Sequence, residues 1–300
     1  MQSMELNHDV IDTPPRDAAS VVMLRDSAAG LQVLLMRRHT NAAVLGGAYV
    51  FPGGKVDQTD GQPALLDHLD RSPTELHPLL GEPALASASS AAMFVAAARE
   101  AFEESGVLLA RQFGQPLDAQ AQHAAFETVR QGQSFAQVLV QHTLQLCTND
   151  LAPWSRWITP RRPSVMNQRF DTRFFLAAVP PGQQAHYDDF EVTEARWLTP
   201  RAALAQYRDH AIDLAPPQIV SLLHLLQYPD VAHALADARS RTPPLIQPES
   251  VQDGDTRVLC YPGDAAHPVT ARALPAPVPT RVVWRQQRFE PPQGFAPFID

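Results

Sequence analysis

Residues 90–109 carry the pattern that most constrains what this chain can fold into. Phe94, Val95, Ala98, Ala101, Phe102 and Ser105 recur at helical spacing and share one face, while Glu100, Glu103 and Glu104 project from the opposite one. The alanine-rich body favours a helix, the preceding serines are candidate N-caps, and Gly106 breaks or caps it. At i, i+3 and i+4 the three carboxylates converge and repel by roughly a few tenths of a kcal/mol per pair. Arg99 can pair with Glu103, which leaves two carboxylates on the same face. That is the arrangement a hard cation such as Mg²⁺ takes, completed by waters and phosphate oxygens. Three glutamates alone are equally a solvated acidic surface, so the context has to decide.

Around this helix the pattern alternates between strands and helices, which predicts an α/β fold. Residues 19–24 and 31–36 are apolar runs separated by the turn-forming residues 26–30 and read as a hairpin; 48–51 adds a strand stopped by Pro52-Gly53-Gly54. Residues 118–146 have helical spacing interrupted near Gly132, which predicts two helices. Residues 170–179 and 195–198 read as strands, and 216–237 as one helix with proline at its start. Beyond residue 242 the sequence is proline-rich, with strand-like pieces at 256–261 and 281–284. The expected organisation is a flexible N-terminus over 1–17, a domain over 18–240 with a helical insertion at about 111–150, and an extension over 241–300 packed on that domain.

A formal net charge of -8 argues against a general nucleic-acid binder, which needs a concentrated basic surface. The two cysteines, Cys147 and Cys260, lack metal-ligand spacing and suit a reducing compartment. The eleven histidines show no such spacing either. The first residues have no basic segment followed by an apolar one, and no stretch of about 18 apolar residues occurs. Phe298-Ile299-Asp300 is not a peroxisomal address. These features predict a soluble cytoplasmic protein with no membrane partner; the oligomeric state stays open, a homodimer included.

Arg99-Glu100-Ala101-Phe102-Glu103-Glu104-Ser105-Gly106-Val107 resembles the second half of the Nudix box, G-x5-E-x7-R-E-U-x-E-E-x-G-U with U apolar, at every fixed position. The first half lies at Gly54 to Asp60, preceded by Phe51-Pro52-Gly53, with Asp60 where the pattern has glutamate. An insertion of 31 residues, at about 61–91, separates the halves. In this the chain resembles the insertion-bearing branch of Nudix enzymes, the peroxisomal coenzyme A diphosphatases. Leu151-Ala152-Pro153-Trp154, Trp157-Ile158-Thr159-Pro160, Arg169 to Phe175, Trp197 and Pro216-Pro217-Gln218 look like its landmarks in order. Leu34 to Gly54 is similar to the coenzyme A signature L-L-T-x-R-S-x3-R-x3-G-x3-F-P-G-G, with Met36, His39 and Ala43 replacing threonine, serine and the second arginine.

The resemblance implies a Nudix α/β/α sandwich around a mixed β-sheet, with an insertion within the box and additional helices. It implies a Nudix diphosphatase using Mg²⁺ or Mn²⁺. Glu103 and Glu104 would be the principal metal ligands, Glu100 a further ligand or the general base, and Arg99 the residue orienting them. Glu191 and Glu194, ahead of Trp197, are alternative bases. Gly53 and Gly54 would let the backbone approach the metal site, and Asp57 and Asp60 read as loop caps. Arg37, Arg38, Arg169 and Arg173 are the candidates for binding substrate phosphates. The implied partner is a small-molecule nucleotide, coenzyme A or acyl-CoA first, with NADH, ADP-ribose or a nucleotide sugar as the alternative. A non-catalytic Nudix-like sensor is the reading from another class, and loss of box carboxylates would be its sign. The insertion, mixing prolines with short apolar runs, is expected to shape the substrate pocket and to contribute little to the core.

Overall fold

The computed structural model describes residues 7, 9–42, 45–162, 168–186 and 192–300. The chain opens with the hairpin β1 (Arg16–Ser27) and β2 (Gly30–Arg38), then the short strands β3 (Tyr49–Val50) and β4 (Gly53–Lys55). Two helical turns, α1 (Pro63–Leu66) and α2 (Pro73–Leu76), lead into the long helix α3 (Ser87–Ser105). Strands β5 (Ala110–Gln112), β6 (Gln115–Pro116) and β7 (Leu144–Leu146) form a small antiparallel sheet around α4 (Ala119–Arg130) and α5 (Phe135–Gln141). Next come β8 (Ala152–Ile158), β9 (Phe170–Ala178) and β10 (Val192–Leu198), then α6 (Pro200–Arg208), α7 (Pro216–Leu225) and α8 (Val231–Ser240). The chain closes with β11 (Leu245–Ile246), β12 (Glu249–Asp253), β13 (Thr256–Cys260), β14 (Arg281–Arg285), β15 (Arg288–Glu290) and the turn α9 (Ala296–Ile299).

The main sheet has the order β10-β2-β1-β9-β8-β11, with β3 added to β2 and β4 to β1. It is mixed: β1 runs parallel to β9 and β11 to β8, and the remaining pairs are antiparallel. Residues 18–24 of β1 are buried on both faces, which is why they are apolar apart from Ser20, whose hydroxyl donates to the Pro52 carbonyl at 3.0 Å. The period of two sorts these residues between two layers. Val21 and Met23 join Phe94, Ala98 and Phe102 of α3 in one core, while Val22 and Leu24 join Leu204, Ile219 and Leu223 of α6 and α7 in the other. The result is the expected three-layer sandwich. Strands β12 to β15 make a separate antiparallel sheet whose Leu259, Val282 and Phe289 enter the second core.

Local chemistry sets several boundaries differently from the sequence pattern. The single helix expected over 216–237 is two, because Pro229 lacks an N–H and disfavours helical backbone at Tyr228. Asp230 restarts the chain as an N-cap, accepting from His233 N at 2.9 Å. Leu144 belongs to a strand and not to a helix, its side chain buried beside Leu146. Strand β8, unpredicted, alternates in burial against β9.

The expectation for the insertion is overturned. Leu65, Leu69, Leu76 and Leu80 are buried in the core beneath α3. Glu82 pairs with Arg156 at 2.7 Å and Arg173 at 2.6 Å, and Asp70 accepts from Thr148 N at 2.8 Å. None of residues 61–91 lines the principal cavity described below. The prolines punctuate short surface turns, each of which sends a leucine inward against α3. Leu76→Ala is therefore expected to cost about 2–5 kcal/mol in urea unfolding, and excision of 61–91 to abolish folding; a loss below about 0.5 kcal/mol, the usual scale for surface changes, would return the insertion to the surface.

One buried histidine makes the fold sensitive to acid. His224 stacks on Trp154 at 4.9 Å between ring centroids and lies 2.9 Å from the Tyr228 hydroxyl. Burial, reinforced by the Arg241 charge, lowers its pKa from 6.5 to about 4. A histidine held neutral contributes stability that is complete above its ordinary pKa and is lost as pH falls through the interval from 6.5 to about 4. Stability should fall by about 3 kcal/mol across that window, and His224→Gln should flatten this part of the profile, as urea midpoints measured against pH will show.

Candidate functional site

The site is built where α3 meets the glycines of β4. Gly53 and Gly54 pair with Ser20 and Ala19 of β1, and the Gly53 N–H donates to Glu104 Oε2 at 2.9 Å. A Cβ on Gly53 would stand 2.5 Å from the Ala19 carbonyl, and one on Gly54 2.4 Å from the Glu100 carboxylate. Gly53 therefore needs glycine so that β4 can lie against β1, whereas a side chain at Gly54 would displace the Glu100 carboxylate.

Arg99 binds this junction together. It is 7% exposed, and all five guanidinium N–H groups are used. Nε and Nη2 grip Asp60 at 2.8 and 3.0 Å, and Nη2 also donates to the Lys55 carbonyl at 3.0 Å. Nη1 divides its protons between Glu100 at 2.9 Å and Glu103 at 3.0 Å. Asp60, fully buried, also accepts from Asp57 N at 2.8 Å, which closes the short helical turn at Gln58–Gly61. The capping expected of Asp60 is thus its geometry, and the carboxylate in the first half of the box serves Arg99.

Burial dominates the acid chemistry. It pushes the Glu100 carboxyl up to about 7, partly offset by Arg99, and raises Glu103 in the same sense. Burial alone would lower Arg99, but Asp60, Glu100 and Glu103 outweigh it and raise its pKa, so its charge is fixed.

Glu100, Glu103 and Glu104 open onto a cavity of about 840 Å³ at the end of the sheet where β1 and β9 begin and β8 finishes. One wall comes from α3 and β4 and includes Gly53, Gly54, Lys55 and Asp57. The opposite wall comes from the end of β8, the first turn of α7 and the C-terminal segment: Trp157, Thr159, Pro217, Gln218, Pro248 and Leu259. Among the described residues, that second wall carries no charge. Arg38 also lines the cavity, and its buried Nε has no hydrogen-bond partner among the described residues; the same holds for Gln218 Oε1.

Other expected site residues are placed elsewhere. Arg37 and Glu194 do not line the cavity. Glu194 accepts from the Tyr49 hydroxyl at 2.5 Å and from Arg196 Nε; burial would raise its pKa, but these contacts outweigh it and hold it below the usual value. Arg173 is consumed by Glu82, Asp17 and the Asp171 carbonyl, and Arg169 donates to the carbonyls of Thr159 and Thr13, so neither guanidinium faces the cavity as a phosphate clamp. Glu191 and Ala43 lie outside the described residues. Gln218 was legible only as part of a proline-rich landmark, whereas Pro248 and Leu259 reach the wall through tertiary packing that no local signal marks.

Comparison with known proteins agrees with this geometry. Residues 10–225 match the family model described as the NUDT19 Nudix domain. An acyl-coenzyme A diphosphatase NUDT19 of Xenopus laevis is 27% identical over 81% of this chain and 73% of its own length. Its human counterpart is 29% identical over 67% of this chain and 62% of its own. A solved Nudix hydrolase from Alicyclobacillus acidocaldarius superposes with a TM-score of 0.61 at 26% identity, covering 77% of this chain and 98% of that one. The sandwich, the glycine-backed carboxylates and the matched length leave one assignment: the chain belongs to the NUDT19 Nudix family. It is a Nudix diphosphatase.

The Arg99 junction makes a stability prediction. Arg99→Met leaves Asp60 buried without its charge partner and is expected to cost about 3–5 kcal/mol in urea unfolding. Adding Asp60→Asn should recover part of that loss, since the amide keeps an acceptor for Asp57 N and carries no charge; an Arg99→Met protein as stable as wild type would contradict the role given to this pair.

Proposed function

We propose that the chain hydrolyses the diphosphate of coenzyme A or its thioesters, giving adenosine 3',5'-bisphosphate and a 4'-phosphopantetheine product. Water adds to one phosphorus, the bridging P–O bond breaks, and two protons are released as the two new phosphomonoesters ionise. The observation that carries the reading is the two-sided cavity, with carboxylates on one wall and an uncharged wall on the other. A diphosphate flanked by a long neutral arm has that division of polarity. The relatives named for acyl-coenzyme A cleavage support the same substrate.

Among the described residues no three His, Cys, Asp or Glu side chains form a ready metal cage. This fits a hard cation that draws only one or two ligands from protein and the remainder from water and phosphate oxygens. The donors on the acidic wall are carboxylates and not thiolate or imidazole, which suits Mg²⁺ or Mn²⁺. On this reading Glu103 and Glu104 are the principal ligands of the cation. When bound, it neutralises phosphate charge and lowers the pKa of water. Glu100, backed by Gly54 and held by Arg99 Nη1, accepts the proton of the attacking water or completes the metal shell. Arg99 positions Glu100 and Glu103 with no N–H left over for substrate. Arg38, with Nε free of partners, is the group placed to meet a phosphate.

Glu103→Gln and Glu104→Gln should each lower kcat by about a hundredfold or more, the upper scale for disturbing metal support. Both should fold, because the amide oxygen that Glu104→Gln introduces can still accept from Gly53 N. The substrate is decided by kcat/KM for coenzyme A, dephospho-coenzyme A, NADH and ADP-ribose at one Mg²⁺ concentration, with coenzyme A expected to lead; preference for NADH or ADP-ribose would overturn the substrate and leave the diphosphatase chemistry in place.

A further inference from the structure

The uncharged wall contains a helix start that has been stripped for a purpose other than binding anions. The first turn of α7, residues 215–218, faces the cavity. A helix N-terminus ordinarily presents four free N–H groups and a partial positive charge, which attracts phosphate. Here Pro216 and Pro217 remove two of the four donors. The neighbouring wall adds no cation, since Trp157, Thr159, Pro248 and Leu259 are neutral. A polar group on this wall whose acceptor is unmet among the described residues is the Gln218 amide. Gln218 is 7% exposed, its side chain makes no hydrogen bond among the described residues, and its Oε1 is buried without a partner. Buried acceptors are rarely left unmet unless a ligand or water meets them.

We propose that Gln218 is a specificity-determining residue whose Oε1 accepts a hydrogen bond from an N–H group on the uncharged part of the substrate. The inference rests on the diphosphatase reading of this cavity and adds the residue that sorts its substrates. A neutral segment carrying an N–H donor satisfies both features of the wall, the missing anion donors and the unmet acceptor. Two parts of a coenzyme A substrate have that chemistry: the amides of the pantetheine arm and the exocyclic amine of adenine.

The test uses the full-length enzyme with Mg²⁺ and two substrates, coenzyme A, which carries both donors, and ADP-ribose, which carries only the adenine amine. Gln218→Met keeps the volume and removes the acceptor, whereas Gln218→Glu keeps an acceptor. Gln218→Met is expected to raise KM roughly three- to tenfold, the range of one hydrogen bond, with kcat within about twofold. A KM increase on coenzyme A alone supports the inference and assigns the donor to the pantetheine side; an increase on both substrates supports it and assigns the adenine amine. Unchanged KM on both substrates overturns it. So does an equal fall in kcat and thermal midpoint in both variants, which marks a structural residue. If the wild-type enzyme cleaves ADP-ribose and not coenzyme A, the coenzyme A reading fails, and the Gln218 inference is decided by KM for ADP-ribose.

Discussion

The contact on which the site depends is the two-pronged grip of Arg99 on Asp60. Asp60 is fully buried, and a carboxylate taken out of water is tolerated only where charge and hydrogen bonds meet it. Arg99 supplies the charge, and Asp57 N a further hydrogen bond. Because the same guanidinium reaches the Lys55 carbonyl, it fixes the end of β4 against α3. The third nitrogen then has one direction left and holds Glu100 and Glu103 side by side. Strand, turn and helix are thus tied at one group, and the functional carboxylates inherit their positions from it.

A second ion network ties the insertion to the sheet. Arg173 and Arg156 on adjacent strands bracket Asp171 and Glu82, and Glu82 arrives from the segment between the halves of the box. Removing any member of a buried network leaves the others short of a partner, so such clusters specify one arrangement more than they add stability. The insertion is accordingly part of the domain. The C-terminal segment is similarly incorporated: β11 extends the sheet beside β8, and Leu259 lies in the second core as well as on the cavity wall.

What the sequence made legible follows the range over which each signal acts. The carboxylate face of α3 is local, since residues three and four apart must be neighbours on a helix, and Glu100, Glu103 and Glu104 do share the cavity. The glycine pair and the caps at Asp60 were readable for the same reason. The arginines were not. Arg38, Arg169 and Arg173 have the same chemistry in sequence, and only the partners brought by other strands decide that Arg38 Nε is left open while Arg173 is consumed. Glu194 differs from a catalytic carboxylate only through Tyr49 and Arg196. The insertion misled because prolines and short apolar runs describe an exposed loop and a set of packed turns equally well.

Electrostatics then constrain how any diphosphate can lie in this cavity. The wall formed by α3 and β4 gathers Glu100, Glu103 and Glu104 with Asp57 nearby, and Arg99 has no N–H to spare. Two like charges about 4 Å apart oppose each other by about 4 kcal/mol at the effective dielectric of a protein surface, so an anionic substrate cannot approach these carboxylates unaided. The opposite wall gives no relief, because Pro216 and Pro217 remove helix donors and its other residues are neutral. On the proposed reading, phosphate charge is met beside the carboxylates with a cation between, or at Lys55 and Arg38, the two cationic side chains among the described residues that line the cavity. The uncharged remainder of the substrate is left with the wall where Gln218 waits for a donor. The described lining of the cavity is polarised from side to side, and on the proposed reading that polarity decides which part of a substrate each wall can take.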